Sequence, residues 1–398
     1  MILMQLGFNE LQYVVGTPET VGNMESLKVL RPFEDCVIAF LNDLSVKLRT
    51  NRTYSDVATF GFWCRKAALI KEKEKYDDVN ERYGKGIVFH STPSNVPVNF
   101  AFSFAAGLLA GNANIIRLPG KPFEQVEIIC NAVKELLEDK HKDLAPYIVF
   151  IKFPPVKEIS DVFSALCNVR VIWGGDMTIG EFRKSKIPAR TIEITFADRH
   201  SIAVIDADAY LEAENKDVII QNFYNDTYYS DQNACTSPHI IFWQGKRKEE
   251  AKTDFWNRVH ELVISKYTLA PVQSVGKLNA MYSVASQKKA RVEKSDDMLI
   301  TRLDIDKIDK DLMNYKYNSG FYFEKEIDNL KEIADVCDIK CQTITYFGVK
   351  EEDFRDFLEE SRTIGIDRIV PMGKSMDFAL IWDGYDLIRQ MSRRVTIN

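Results

Sequence analysis

Cysteine is the residue type best suited to covalent chemistry in this chain, and one of its seven cysteines stands apart. Cys235 lies in NDTYYSDQNACTSPHIIFW, a run of small and polar residues between an expected helix and an expected strand. A thiol in such surroundings forms a thiolate more readily than a packed one, which makes Cys235 the candidate nucleophile. The other reading is a structural loop cysteine. The remaining six, at 36, 64, 130, 167, 337 and 341, sit in apolar-periodic or charged segments, where an inert buried thiol is usual. Their odd total and scattered spacing fit neither a disulfide framework nor paired zinc ligands. Among the histidines, His239 falls inside an expected strand. His90 ends a strand beside the ligand edge, where a packed histidine is the first reading. His141, His200 and His260 lack ligand spacing, so no metal site is expected.

Three further loops follow expected strands directly: HSTPSNVP at 90–97, RLPGK at 117–121 and WGGDMTIG at 173–180. In the third, Gly174 and Gly175 permit a tight turn where a helix begins, and Gly180 is expected to let that helix pack closely on the sheet. The spacing is not the GxGxxG fingerprint, so a cofactor turn and an ordinary glycine turn both remain open. Arg117 and Lys121 bring two cations that suit a ribose hydroxyl or a 2′-phosphate, against the alternative of a solvated basic turn.

The elements that must position these loops are strands of four to seven apolar residues alternating with helices from residue 86 onward. That is the pattern of a parallel, doubly wound sheet, which binds ligands beyond the carboxyl ends of its strands. Residues 1–85 read as a helical lead-in followed by an exposed connection. The expected organisation is a cofactor domain over 1–206, a second α/β domain over 207–370 carrying Cys235, and a segment 371–398 that packs back on the first domain or on a partner subunit. At 398 residues, with 45% hydrophobic and 28% charged content, the chain is expected to fold into such domains. A net charge of −6 gives no general attraction to nucleic acid or anionic lipid. No apolar run reaches the length of a membrane span and no leader is evident, so a cytoplasmic location is expected.

The order and spacing of these loops resemble the aldehyde dehydrogenase superfamily and, within it, the LuxC-type fatty acid reductases, also called acyl-CoA reductases. The resemblance rests on FGFWCRKA at 60–67, FHSTPSNVPVNFAFSFAAGLLAGNANIIRLPGK at 89–121, WGGDMTIGEFR at 173–183, DQNACTSPHI at 231–240 and GIDRIVPMGKSMDFALIWDGYDLI at 365–388. It implies an aldehyde dehydrogenase-like α/β fold and Cys235 as the nucleophile, with Asn95 of PSNVP as the side-chain oxyanion donor. Nicotinamide binding is implied at Arg117, Lys121, Gly174, Gly175, Thr178 and Gly180. Asp176 there replaces a small hydroxyl residue of the family.

Hydrolytic members end a strand with a glutamate that activates water. Here Thr195 holds that position, and Glu193, on the same face by strand period, is the candidate base. The glutamate that many members use to grip the nicotinamide ribose has no match near Cys337–Gln342. The resemblance therefore implies a bioluminescence-related, NADPH-dependent reduction of a long-chain acyl-CoA or acyl-protein thioester to a fatty aldehyde, with NADH as the other cofactor. An oxidising, hydrolytic aldehyde dehydrogenase with Glu193 as base is the alternative. Implied partners are an acyl-activating synthetase and an acyltransferase, and a homo-oligomer is expected by analogy of fold.

Overall fold

A computed structural model of the chain describes residues 10–93, 96–309 and 311–397. The chain divides into two compact units, Met1–Ala197 with Phe378–Asn398, and Asp198–Asp377. Each has its own sheet, whose strands are numbered here β1 to β13 in chain order.

The first unit's sheet uses β1 (Gln12–Val15), β2 (Ile87–Ser91), β3 (Ala113–Arg117), β4 (Ile148–Lys152), β5 (Val169–Trp173) and β6 (Ile192–Phe196), in the spatial order β1-β4-β3-β2-β5-β6. Only β1 runs antiparallel to its neighbour. Strands β2 to β5 are almost wholly buried because helices cover both faces, which is why they read as continuous apolar runs. Strand β1 was not legible in sequence, since a four-residue edge strand leaves too short a pattern.

The connection from β4 back past β2 to β5 reverses the winding between β2 and β5, and a doubly wound sheet opens its ligand crevice at such a point. Register places Ile151, Arg117, Ser91, Ile172 and Thr195 abreast across five strands. The loops that follow them therefore emerge on one edge. Gly107, in the helix Asn99–Leu109, lets that helix lie against the sheet: a Cβ there would stand 2.1 Å from Asn114 Oδ1 and 2.9 Å from His90 Nε2.

The second unit's sheet comprises β7 (His200–Asp206), β8 (Pro238–Gln244), β9 (Ala290–Lys294), β10 (Thr301–Ile305), β11 (Phe321–Glu326), β12 (Cys341–Phe347) and β13 (Arg368–Pro371), ordered β9-β10-β11-β8-β7-β12-β13. All pairings except β9 with β10 are parallel. The sequence reading ended the first domain at 206, yet β7 pairs with β8 and β12 in this second sheet. An apolar parallel strand carries no local mark of which sheet it joins, so the boundary was misplaced by one strand. At the other end, residues 371–377 stay with the second unit, while 378–397 return to the first. There Leu387, Ile388 and Met391 enter the core and Ser392–Arg394 pairs with Arg82–Gly84.

Candidate active site

The loop that carries Cys235 leaves the helix Lys216–Asp226 through a short 3-10 turn, Tyr228–Ser230, and reverses at Asp231 and Gln232, with φ of 53° and 52°. Two successive left-handed residues that are not glycine are strained, of order 1–3 kcal/mol each, and persist only when their surroundings fix them. Here the surroundings do. The Asp231 carboxylate accepts from the Tyr267 hydroxyl and from Gln273 Nε2 (2.8 Å). The Gln232 amide is buried; its Oε1 accepts from the N–H groups of Gly320 (2.7 Å) and Phe321 (3.1 Å), and its Nε2 donates to the carbonyls of Pro238 (3.1 Å) and Phe321 (3.3 Å).

Gln232 thus staples the loop to the starts of β8 and β11. Farther along, the Ser201 hydroxyl of β7 donates to the Cys235 carbonyl at 2.7 Å, and the Ser237 N–H closes a turn on Ala234 O at 3.0 Å. Cys235 is therefore presented at the amino edge of the second sheet by bonds on both sides of it.

Burial and titration set most of the other cysteines apart. No described cysteine is in a disulfide, and only Cys36 and Cys235 are not buried. Burial pushes the thiols of Cys130 and Cys167 up to about 12 and those of Cys64 and Cys341 well above the ordinary range, with Cys341 raised first by its neighbour Cys337. Burial, Asp143 and Glu34 also raise Cys36. Each of these five is held as a neutral, poorly nucleophilic thiol.

On the first unit's ligand edge, the half-buried Arg117 guanidinium stacks 4.5 Å over the Phe153 ring and donates to Phe153 O at 3.3 Å. Among the described residues no carboxylate lies within ion-pair distance of Arg117 or of the exposed Lys121. Burial lowers the Arg117 pKa, as expected of a cation whose counter-charge the protein does not supply. The Trp173 ring stacks on Phe196 at 3.6 Å and its indole N–H donates to Ser103 Oγ at 3.0 Å, which fixes the end of β5.

The turn that follows is tight at Gly174, where a Cβ would meet Thr178 at 3.0 Å. At Gly175 and Gly180 a Cβ would meet nothing within 4 Å, and Thr178 is exposed. The expectation that Gly180 allows close helix packing is thereby corrected: the helix Asp176–Phe182 packs through Ile179 and Phe182, and Gly180 faces out. The uncompensated cation at Arg117 and the open space beside Gly175 and Gly180 are features that could receive a nicotinamide dinucleotide. Asp176, in the helix's first turn, disfavours a phosphate set directly on that terminus.

Asn95 lies outside the described residues. Glu193 and Thr195 share a face of β6, opposite Arg170 and Ile172. Both Glu193 oxygens are already engaged: Oε2 accepts from the buried Arg170 and Oε1 accepts from Arg183 Nε at 2.7 Å. Sequence reasoning missed Arg170, although an arginine within an apolar strand beside a glutamate-bearing strand was a visible signal. His90 packs as expected, between Ser103 Oγ (2.8 Å) and Asn114 Oδ1 (3.0 Å), and burial lowers its pKa to about 4. Among the described residues, no cluster of His, Cys, Asp and Glu could hold a metal ion, and no helix is long and apolar enough to cross a membrane.

Solved structures share this architecture. Lactaldehyde dehydrogenase from Escherichia coli superposes with a TM-score of 0.65 at 12% identity, covering 95% of this chain and 88% of that one. Betaine aldehyde dehydrogenase from Staphylococcus aureus, solved with NAD+, gives 0.62 at 14% identity over 95% and 87%. The fold is thus aldehyde dehydrogenase-like. The long-chain acyl-protein thioester reductase of Vibrio harveyi is 22% identical over a 332-residue alignment that covers 79% of this chain and 64% of that protein. The chain spans less than two thirds of that relative's length. The model of the acyl-CoA reductase (LuxC) family matches residues 65–394, a stretch that takes in the glycine turn, the stapled Cys235 loop and the returning tail, and on that match the chain belongs to the LuxC acyl-CoA reductase family.

Proposed function

We propose that this chain reduces a long-chain acyl thioester, carried on coenzyme A or on a partner protein, to a fatty aldehyde through an acyl group held on Cys235. The observation that carries the reading is the stapled loop, which presents one half-buried cysteine while burial or acidic neighbours hold five others neutral. The name of the Vibrio harveyi relative supports the substrate class.

In this reading the Cys235 thiolate attacks the thioester carbonyl and expels the donor's thiolate, which takes up a proton. The Asn95 side chain and the Cys235 backbone N–H hold the oxyanion, and one such donor is typically worth about 2.7–4 kcal/mol. A bound reduced nicotinamide supplies the hydride that reaches the acyl carbon. The carbonyl oxygen gains a proton, giving a thiohemiacetal on Cys235 that collapses to aldehyde and free thiol. Arg117, Lys121, Gly174, Gly175, Thr178 and Gly180 would hold the cofactor, and the two cations favour NADPH over NADH.

Water is the competitor for the thioester, and its exclusion from the reaction follows from what β6 lacks. Thr195 offers no carboxylate, and Glu193 has both oxygens on arginines, which leaves it ill suited to accept a proton from water. That geometry disfavours the hydrolytic alternative. Incubation with a long-chain acyl-CoA and NADPH is expected to yield aldehyde and free coenzyme A with little free fatty acid. Rapid release of acid from aldehyde and oxidised cofactor, with no added thiol, would show that the hydrolytic reading is right instead.

A further inference from the structure

Residues 371–377 form a double turn in the second unit. The Lys374 N–H bonds to Pro371 O (3.1 Å) and the Asp377 N–H to Lys374 O (3.3 Å), and Gly373 takes a φ of 92° against Asn222, where a Cβ would not fit. Two side chains from outside the turn hold it. Asp226, the last residue of the helix Lys216–Asp226, is 1% exposed; its Oδ2 accepts the Gly373 N–H at 2.6 Å and its Oδ1 the Ser375 N–H at 3.0 Å. Arg368 donates to the carbonyls of Ser375 (3.0 Å), Asp377 (3.1 Å) and Lys374 (3.4 Å). So fixed, the turn sets Met376 Sδ 3.3 Å from the Thr236 hydroxyl, and Thr236 directly follows Cys235.

Asp226 therefore stands where the Cys235 loop begins and grips the turn that rests against the loop's far end. A buried carboxylate at a helix C-terminus is desolvated and opposes the helix dipole, and both effects are unfavourable. What it provides in return is a pair of oxygens that both accept, which a neutral amide cannot match. We propose that Asp226 is a positioning residue for the Cys235 thiol: its carboxylate clamps the 371–377 turn, and the turn, through Met376 on Thr236, sets how Cys235 is presented. The inference rests on Cys235 being the reactive thiol and is independent of the acyl group it takes.

The clamp depends on charge. Burial pushes the Asp226 carboxyl up to about 6, Asp377 acts in the same sense, and the bonds from Gly373 and Ser375 pull the other way. The remaining charged groups of the turn are engaged with one another or with carbonyls: Lys374 pairs with Asp377 at 3.0 Å and Arg368 caps the turn. Once protonated, one carboxyl oxygen carries a hydrogen that faces a backbone N–H, and one arm of the clamp is lost. Stability runs in the opposite direction. A carboxyl raised above its ordinary 3.8 is relieved of buried charge as pH falls from about 6 to 3.8, so the fold gains from that group while the clamp weakens.

The test is the rate of Cys235 alkylation by iodoacetamide in the full chain, read by peptide mass. Asp226→Asn preserves shape and one acceptor but sets a donor against the second N–H, as protonation does. At about pH 8 this variant is expected to change the rate about fivefold or more, the low end of coupling through a packed element. Its thermal unfolding should not fall. The ratio of wild-type to variant rates, in which the thiol's own titration cancels, should approach one below about pH 6. Met376→Ala, which removes only a partly exposed thioether, should change the rate at about pH 8 in the same direction. A ratio of one at high pH, or a ratio that stays away from one and does not move with pH, overturns the proposal. If Asp226→Asn does not fold, an unchanged rate in Met376→Ala overturns it alone. Absence of acylation by acyl thioesters beside an intact alkylation result would count against the proposed function and not against the clamp.

Discussion

At the scale of single residues, the proposed chemistry rests on the half-buried Cys235 and on cations that lack a protein counter-charge among the described residues. Arg117 is the clearest of the latter, stacked on Phe153 and without a carboxylate among the described residues. Arg117→Ala is expected to weaken NADPH binding by about 1.5–3 kcal/mol, roughly 10- to 150-fold in Kd, the usual worth of a charge-assisted hydrogen bond. NADH should be affected less, since it lacks the 2′-phosphate. Equilibrium titration with both nucleotides reads the difference, and equal losses would remove Arg117 from the 2′-phosphate role. Cys235 was legible in sequence because its neighbours are small and polar, a property of the local run. The Phe153 platform under Arg117 was not, because that contact joins residues 36 positions apart and no local pattern encodes it.

At the scale of elements, the left-handed pair Asp231–Gln232 is held by side-chain bonds to residues distant in sequence. Gln232→Ala would strand two backbone N–H groups and two carbonyls in a buried space, where each unmade bond costs about 1–3 kcal/mol. A total loss of about 3 kcal/mol or more is expected in chemical unfolding. Gln232→Glu keeps both acceptor bonds and should lose less; equal stability of Gln232→Ala and wild type would show that the staple is not needed. The glutamine was visible in sequence as part of DQNAC, but its partners at 238, 320 and 321 were not. The strands themselves were largely legible from their apolar runs. The role of Gly180 was misread because a glycine turn looks the same whether it faces a sheet or solvent.

At the scale of the whole molecule, three histidines whose pKa burial lowers give the fold a defined response to acid. Burial lowers His90 and His200 to about 4 and His239 to about 3, from an ordinary 6.5. Between 6.5 and 4 the unfolded chain binds these protons and the folded chain does not, so stability falls as pH falls. Each histidine contributes about 1.4 kcal/mol per pH unit in that window, and Asp226 offsets one of the three below about 6. Denaturant titrations across the window should show this slope; replacing His200 or His239 by a residue that cannot titrate is expected to flatten it, and an unchanged or steeper slope would contradict the account. The two-unit organisation was foreseeable from the change in pattern along the chain. The boundary at 206 was not, because β7 is assigned to its sheet by strand pairing over long separations; the tail's return to the first unit was expected, and it begins at 378 in place of 371.

The central claim is that an acyl group passes through Cys235. Intact-mass and peptide-mass spectra after incubation with long-chain acyl-CoA, without reduced cofactor, test it most directly. A single acyl adduct is expected on the peptide containing Cys235, discharged as aldehyde when NADPH is added and absent in Cys235→Ala. Aldehyde formation by Cys235→Ala, or an adduct confined to another cysteine, would contradict the account.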